Sequence, residues 1–337
     1  MLVKLRKICS DKGFDICDPI HTNWYNDVIE KEGLVSRGVL KKMSEPHTIL
    51  DKESKGTRYQ YNAVLIGNSK TIWRKFISWL SSRYKQKLEE NREFSESEKE
   101  ESLNQLLNAD PLDTFVGERL PEVFRSIFSD RSSCEIASQI ESIEFYWSHG
   151  GHEKVILSSN YCVSKQASML VSMQRVAQVT GKYWHDNEGS KLCVHPLFGT
   201  WKAFRAVVVF HKVQNDNDPL SVPKPLPLCP CPVTPKEIED AKEAMQQALE
   251  MSPGSDKNNG YGVFTDNQKD DELCNFLHNS KCCGKTLSLV SPTMRQWIHV
   301  RDCITIGRDT YKYCDNQLLY HYTKDIDLLK KELQSFQ

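Results

Sequence analysis

The 337-residue chain contains no uninterrupted aliphatic run approaching the roughly 20 residues a membrane-spanning helix needs. Its start, MLVKLRKICSDKGF, has no apolar stretch of secretory length, so a cytoplasmic location is expected, without a membrane partner. Neither sign of charge is in excess: 44 Lys and Arg stand against 45 Asp and Glu. Net charge therefore gives no general attraction to nucleic acid, and no nucleic-acid partner is expected. Familiar catalytic signatures are missing as well. No G-x-G-x-x-G follows a strand, which removes the dinucleotide fingerprint. There is no P-loop, no G-x-S-x-G elbow and no H-E-x-x-H.

Cysteine is not scarce. The 12 thiols are scattered over a long chain without a secretion signal, which favours reduced cysteines over a disulfide framework. Two clusters, Cys229 with Cys231 and Cys274, His278, Cys282 and Cys283, could together ligate zinc. Their spacing matches no common zinc module, so incidental thiols are the preferred reading.

The pattern of apolar residues predicts an alternation of strands and helices. Trp24, Tyr25, Val28 and Ile29 recur at helical spacing. YNAVLIGNS (61–69) reads as a buried strand ended by Gly67-Asn68-Ser69, with Ser69 able to cap a helix. Ile72, Trp73, Phe76, Ile77, Leu80, Tyr84 and Leu88 mark that helix. The charge run 89–102 reads as a solvated helix end and a loop, and NADPLDTFVGERLPEVF as a turn and a short helix. Residues 138–149 read as a strand, and Val155–Leu157 as an extended segment. Ser158, Ser159 or Asn160 would cap a helix with the stripe Val163, Ala167, Leu170, Met173 and Ala177, ended by Gly181. KLCVHP and FRAVVVFH are two further strands, the second without alternation and so buried on both faces. After His211 the sequence turns Pro-, Asn- and Asp-rich, as a linker does. Thr234-Pro235-Lys236-Glu237 reads as a helix start, and residues 252–285 as disordered. Structure resumes at SPTMRQWIHVRDCITI and closes with one C-terminal helix.

Two arginines stand where pure structure would not put them. Arg205 opens the buried FRAVVVFH strand, and Arg301 sits in WIHVRD. A buried guanidinium needs an anion or hydrogen-bond acceptors. An internal salt bridge, for Arg301 to Asp302 for example, is the simpler reading; an anionic ligand is the alternative. His195, before Pro196, reads as a turn residue, and Cys193 as core packing.

CVHPLFGTWKAFRAVVVFH (193–211) resembles the C-I-H-P-x-F-G-G-W-x-A-I-R-G-V-V block of cytosolic cobalamin-processing proteins of the CblC type, the MMACHC family. Weaker matches keep the family's order: Gly13-Phe14, Trp24-Tyr25-Asn26, Asp110-Pro111-Leu112-Asp113, Tyr146 with His149, Val155-Ile156-Leu157 and Trp297 to Asp302. The absence of D-x-H-x-x-G agrees, since no protein histidine would then replace the base below cobalt.

The resemblance implies an α+β, flavin-nitroreductase-like fold. In it an antiparallel or mixed sheet with flanking helices lies under a C-terminal cap, over a large cavity. Residues 1–211 would form the cobalamin-binding core, 212–290 a polar insert with one helix, and 291–337 the cap. It implies base-off binding of cobalamin and removal of its upper ligand. Alkyl groups would pass to glutathione, and cyanide would leave after reduction by FMN or FAD or a partner reductase. It also implies hand-over to a CblD-type partner, with cobalamin-dependent methionine synthase and its reductase as further partners, and a monomer or a ligand-induced homodimer. A non-catalytic cobalamin chaperone, or a nitroreductase-type flavin enzyme without a corrinoid, are the other readings.

By position, Arg205 and Arg301 would hold the carboxylates of glutathione. Ile156, Leu157, Ser158, Ser159, Gln174, Cys193 and Phe204 would contact the corrinoid. No residue is implied as catalytic acid, base or nucleophile, because the cobalt carries the reactivity. The chain departs from the family between 158 and 174, where the family's histidine and tyrosines are missing, and at Phe204, where the family has isoleucine.

Overall fold

In the computed structural model the described residues are all but 1, 45–49, 55–56, 108–109, 130–139, 158–160, 168–169, 213–224, 253–289 and 336–337. They gather into two compact units. The first holds Met1–Ile72, Phe115–His185 and Lys202–Pro230; the second holds Trp73–Thr114, Asp186–Trp201 and Cys231–Gln337.

The first unit is built on a six-stranded sheet in which every neighbouring pair is antiparallel. Its strands are β1 (Ile16–Ile20), β4 (Ala63–Asn68), β5 (Ile140–Trp147), β6 (Gly151–Ile156), β7 (Tyr161–Ala167) and β10 (Ala203–Lys212), in the spatial order β1-β4-β10-β5-β6-β7. Two short strands, β2 (Leu50–Ser54) and β3 (Thr57–Tyr61), pair as a hairpin. The expectation for FRAVVVFH holds: Ala206 to Phe210 are fully buried, and β10 lies between β4 and β5. This is the position where an apolar run without alternation is stable, because both faces are covered.

The faces differ in what covers them. On one, Phe145 and Phe210 meet Phe124 of α5 (Pro111–Ser129), with ring centroids 5.8 and 5.9 Å apart, and Phe128 adds a further contact to Phe210. The helix is longer than the expected short one and continues past Pro121. The opposite face carries Ser142, Glu144 and Tyr146 of β5 in line with His211, Val209 and Val207 of β10, and with Ile156, Lys154 and His152 of β6. Also in this unit, α1 (Leu2–Asp11) packs by β1, and α2 (Thr22–Lys31) packs on α6 (Met173–Val179). The amide of Asn26 in α2 exchanges two 2.9 Å bonds with the backbone of Met43 and so fixes the segment beyond the helix.

The helix expected from 158–160 to Gly181 is not formed as such. Tyr161–Ala167 instead extends the sheet as β7, and helix begins only at Met173, capped by the Ser172 hydroxyl. Tyr-Cys-Val favours a strand, and pairing with β6 satisfies its backbone. Met173 and Ala177 of the expected stripe are buried on the short helix, while Ser158, Ser159 and Asn160 lie outside the described residues.

The second unit is helical. It takes α3 (Ile72–Glu90) from Trp73 onward, α4 (Glu96–Leu107), α7 (Pro235–Glu250), α8 (Pro292–Asp302), α9 (Arg308–Tyr311), α10 (Asp315–Thr323) and α11 (Ile326–Ser335). The expected loop within 89–102 is mostly α4. Ser95 and Glu98 cap its start reciprocally, Ser95 N donating to Glu98 Oε2 and Glu98 N to Ser95 Oγ. The expected single C-terminal helix is two, α10 and α11, broken where Lys324 takes a left-handed φ of 53°. The Thr234 start of α7 is a complete capping box, as its sequence implies. Most of the stretch expected to be disordered, 253–285, lies outside the described residues.

Candidate functional site

Arg205 lies at the head of β10, where a bulge between Phe204 and Ala206 interrupts the register with β4. Its Nε donates to Asn68 Oδ1 at 2.6 Å. Asn68 is itself fully buried and donates to Ser69 O at 2.8 Å; Ser69 in turn is bound through its N–H and hydroxyl to Asp15. Asn68 thus orients the guanidinium. Beside it, Phe204 meets Tyr183 edge-on at 5.4 Å, and the buried Lys202 sets its ammonium over both rings, 5.3 and 5.4 Å from their centroids. Tyr183 OH donates to the buried Asp18, which also binds Lys182.

Arg301, in the second unit, is held from several sides. Its Nη2 donates to Thr200 O at 2.8 Å, and Thr200 Oγ1 returns a bond to Arg301 O at 2.9 Å. The guanidinium lies over Trp201 at 4.2 Å and Tyr313 at 5.0 Å. Burial alone would depress its pKa, but the Tyr322 and Tyr313 hydroxyls outweigh that and raise it further. The expected partner Asp302 serves Lys312 instead, at 2.6 Å. Around this arginine the 197–201 turn and residues 306–307 approach closely. Gly199 (φ 56°) and Gly307 (φ 69°) each have a backbone carbonyl where a Cβ would stand, from Ile306 and Leu197 respectively. His195 is the turn residue its position suggests: Nδ1 accepts from Leu197 N at 3.0 Å and Phe198 N at 3.3 Å.

The other expected contacts are distributed. Cys193 is buried in β9 (Cys193–Val194), and Gln174 is exposed on α6. Ile156 ends β6, and Leu157 N donates to Glu141 O. In the sheet, Ile156 lies across Ser142 from His211, six residues along β10 from Arg205. At roughly 3.3 Å per residue the two positions are about 20 Å apart along the strands. Within the first unit, Phe204 and Arg205 therefore share one end of the sheet, and Ile156 and Leu157 the other. Cys229 and Cys231 donate to Pro230 O and Val233 O, while Cys274, His278, Cys282 and Cys283 lie outside the described residues. No metal-holding group of His, Cys, Asp and Glu occurs among the described residues.

Sequence reasoning missed the most unusual group of the first unit. Glu144 is buried in the middle of the sheet, its side chain 8% exposed. It accepts from Ser44 Oγ at 2.6 Å and from Tyr146 OH at 3.0 Å. His211 Nε2 is 3.3 Å from its carboxylate, Lys154 Nζ 3.5 Å and His152 Nε2 3.6 Å. Burial opposes its ionisation, but His152, His211 and Ser44 outweigh that and hold the carboxyl well below the usual carboxylate range. Tyr146 is pushed up to about 12, by burial first and the Glu144 charge second. The available signal was Glu144 among Ile143, Phe145, Tyr146 and Trp147 in the strand IESIEFYW, with HEK on the next.

Residues 63–243 match the family described as methylmalonic aciduria and homocystinuria type C, MMACHC. This chain belongs to that family. The matched span includes β4, α5, β5, β6 and the whole 193–211 block, and so Glu144, Tyr146, His152, Lys154 and His211 but not Ser44. A solved structure of similar extent is that of a C. elegans B12-trafficking protein CblC, described as a human MMACHC homologue. It is 15% identical at a TM-score of 0.47, with 99% of this chain and 97% of that one covered. Among curated proteins none matches. The described helices include none long and apolar enough to cross a membrane.

Proposed function

We propose that this MMACHC-family protein binds cobalamin base-off and removes its upper axial ligand, passing alkyl groups to glutathione and releasing cyanide reductively. Family membership supports a role in B12 processing or trafficking, and it is the observation that carries this reading. The finer chemistry draws support from the head of β10. There a guanidinium, an ammonium and two aromatic rings lie together at the strand end that bears the family's block. Arg205 is the candidate carboxylate anchor for glutathione, and Phe204 lies beside it for the corrinoid, with Ile156, Leu157, Ser158, Ser159, Gln174 and Cys193 as the further contacts proposed from the family pattern. The nitroreductase-like cavity, the core–insert–cap division at 211 and 290, the cytoplasmic location and the CblD-type partner belong to the same proposal.

Chemically the protein's share is positioning. The thiolate sulfur attacks the carbon bonded to cobalt, and the carbon–cobalt pair stays on the metal, giving cob(I)alamin. The chain needs to hold the two substrates in line and exclude water. For cyanocobalamin, electrons must be supplied. A bound FMN or FAD, or a partner reductase, would supply them.

Arg301 favours a second reading. Its donors and its faces are taken up by Thr200, Trp201, Tyr313 and Tyr322, which is the work of a structural arginine. A protein whose Arg301 is structural would lack one of the two proposed glutathione anchors and would hold the vitamin without turnover, as a chaperone does. One titration separates the readings. Methylcobalamin mixed with the full-length protein should turn base-off, seen as a blue shift of its visible spectrum, and glutathione should then yield cob(I)- or cob(II)alamin. No shift rejects both readings; a shift without turnover leaves the chaperone. Arg205→Ala should reduce glutathione-dependent turnover about tenfold or more while changing cobalamin affinity less. Equal losses would make Arg205 structural.

A further inference from the structure

The Glu144 group lies away from the head of β10, and its composition is not that of a simple ion pair. A single cation would satisfy one buried carboxylate. Here the carboxylate has Lys154 and also two imidazoles, from two different strands, each with Nε2 turned toward it. The two oxygens divide the neighbours: Oε1 faces His211 and Lys154, and Oε2 faces His152, Ser44 and Tyr146. Both ring nitrogens of His152 and Nε2 of His211 are buried without a well-formed hydrogen bond. His152 also packs, tilted by 47°, against the Tyr146 ring at 4.8 Å between centroids. Buried nitrogens without good acceptors are costly unless they have a use.

We propose that Glu144, His152 and His211 form one coupled acid–base site: it takes up a proton on an imidazole, and Glu144 balances the charge. Imidazole is the side chain that exchanges protons near neutrality, and a carboxylate beside it stabilises the protonated ring. The charged and titratable groups facing the two rings can be named strand by strand. Tyr146 and Glu144 come from β5 and Lys154 from β6, and Ser44, from the segment before the hairpin, closes the carboxylate's other side. Lys154 limits the uptake, because its charge already offsets one negative charge.

The use of this proton rests on the cobalamin reading. His211 and Ile156, a proposed corrinoid contact, occupy the same cross-strand row, with Ser142 between them. Thiol-dependent dealkylation releases one proton. The thiol S–H gives it to an imidazole; the sulfur lone pair forms the carbon–sulfur bond; the carbon–cobalt pair remains on cobalt, which goes from Co(III) to Co(I). The imidazolium then returns the proton to solvent. His211 would be the acceptor, with Glu144 balancing the charge of its ring.

The first test needs no corrinoid. The ring-proton NMR signals of His152 and His211 are tracked in the full-length protein from about pH 5 to pH 9. The midpoint of at least one should fall in Glu144→Gln, and His152→Asn should move that of His211. Should Glu144→Gln not fold, Lys154→Met replaces it, and the midpoint should rise. Midpoints indifferent to these substitutions overturn the proposal. The second test is turnover. His152→Asn/His211→Asn should dealkylate methylcobalamin about 10²-fold more slowly at neutral pH, recover toward the pH at which free thiol ionises, and keep base-off binding. A double variant as fast as the wild type, with the same pH profile, refutes the catalytic use. A wild-type protein that binds no cobalamin sinks the functional reading instead, and the NMR titration then decides the acid–base site alone.

Discussion

Gly199 shows how one residue fixes the block by which the family is recognised. Its φ of 56° suits glycine, and Ile306 O occupies the space a Cβ would need. Gly199→Ala is therefore strained twice, by backbone and by collision. It should lower stability by about 2 kcal/mol or more, read as a drop in Tm or in the denaturant midpoint. Arg301 teaches a related lesson. As a string, WIHVRD suggested a bridge to Asp302 or a ligand, and neither Thr200 O nor the rings of Trp201 and Tyr313 was readable, because they meet it from elsewhere in the chain. Arg205 was better placed for prediction: its strand is legible from the apolar run alone, and only the acceptor, Asn68, required the neighbouring strand to be known.

Among the elements, those with a strong period were legible and those decided by pairing were not. The stripe of α3 and the unbroken apolar run of β10 each call for one environment. Tyr161–Ala167 could be read as helix because Val163 and Ala167 are four apart; an open strand edge on β6 decided otherwise. Helix α7 is the converse, a polar helix announced by its cap. Glu237 there closes the capping box with Oε2, at 2.8 Å to both Thr234 N and Oγ1, and binds Thr305 N and Oγ1 with Oε1. Burial resists its ionisation, yet the bonds from Thr305 and Thr234 bring its pKa down to about 2. Glu237→Ala should cost about 1 kcal/mol in chemical denaturation.

For the whole molecule, acid should act through Glu144. Its carboxyl is held below the usual range in the folded protein, so the stability it confers is present above the unfolded carboxylate value and lost as pH falls below it. Wild-type stability should decline from about pH 5 downward, and the gap between wild type and Glu144→Gln should narrow over the same interval in urea denaturation. The interlock of Gly199 and Gly307 has a consequence of another kind, in time. Thr200 and Arg301 are 101 residues apart in the chain, and closing a loop of that length costs about 4 kcal/mol in chain entropy. On the ribosome the turn at 197–201 emerges long before its partner, and β10 is synthesised directly behind a turn that is still open. A contact of that sequence separation is expected to close late in folding. A nascent chain stalled anywhere before residue 301 would expose Trp201, whose burial is complete only in the finished protein.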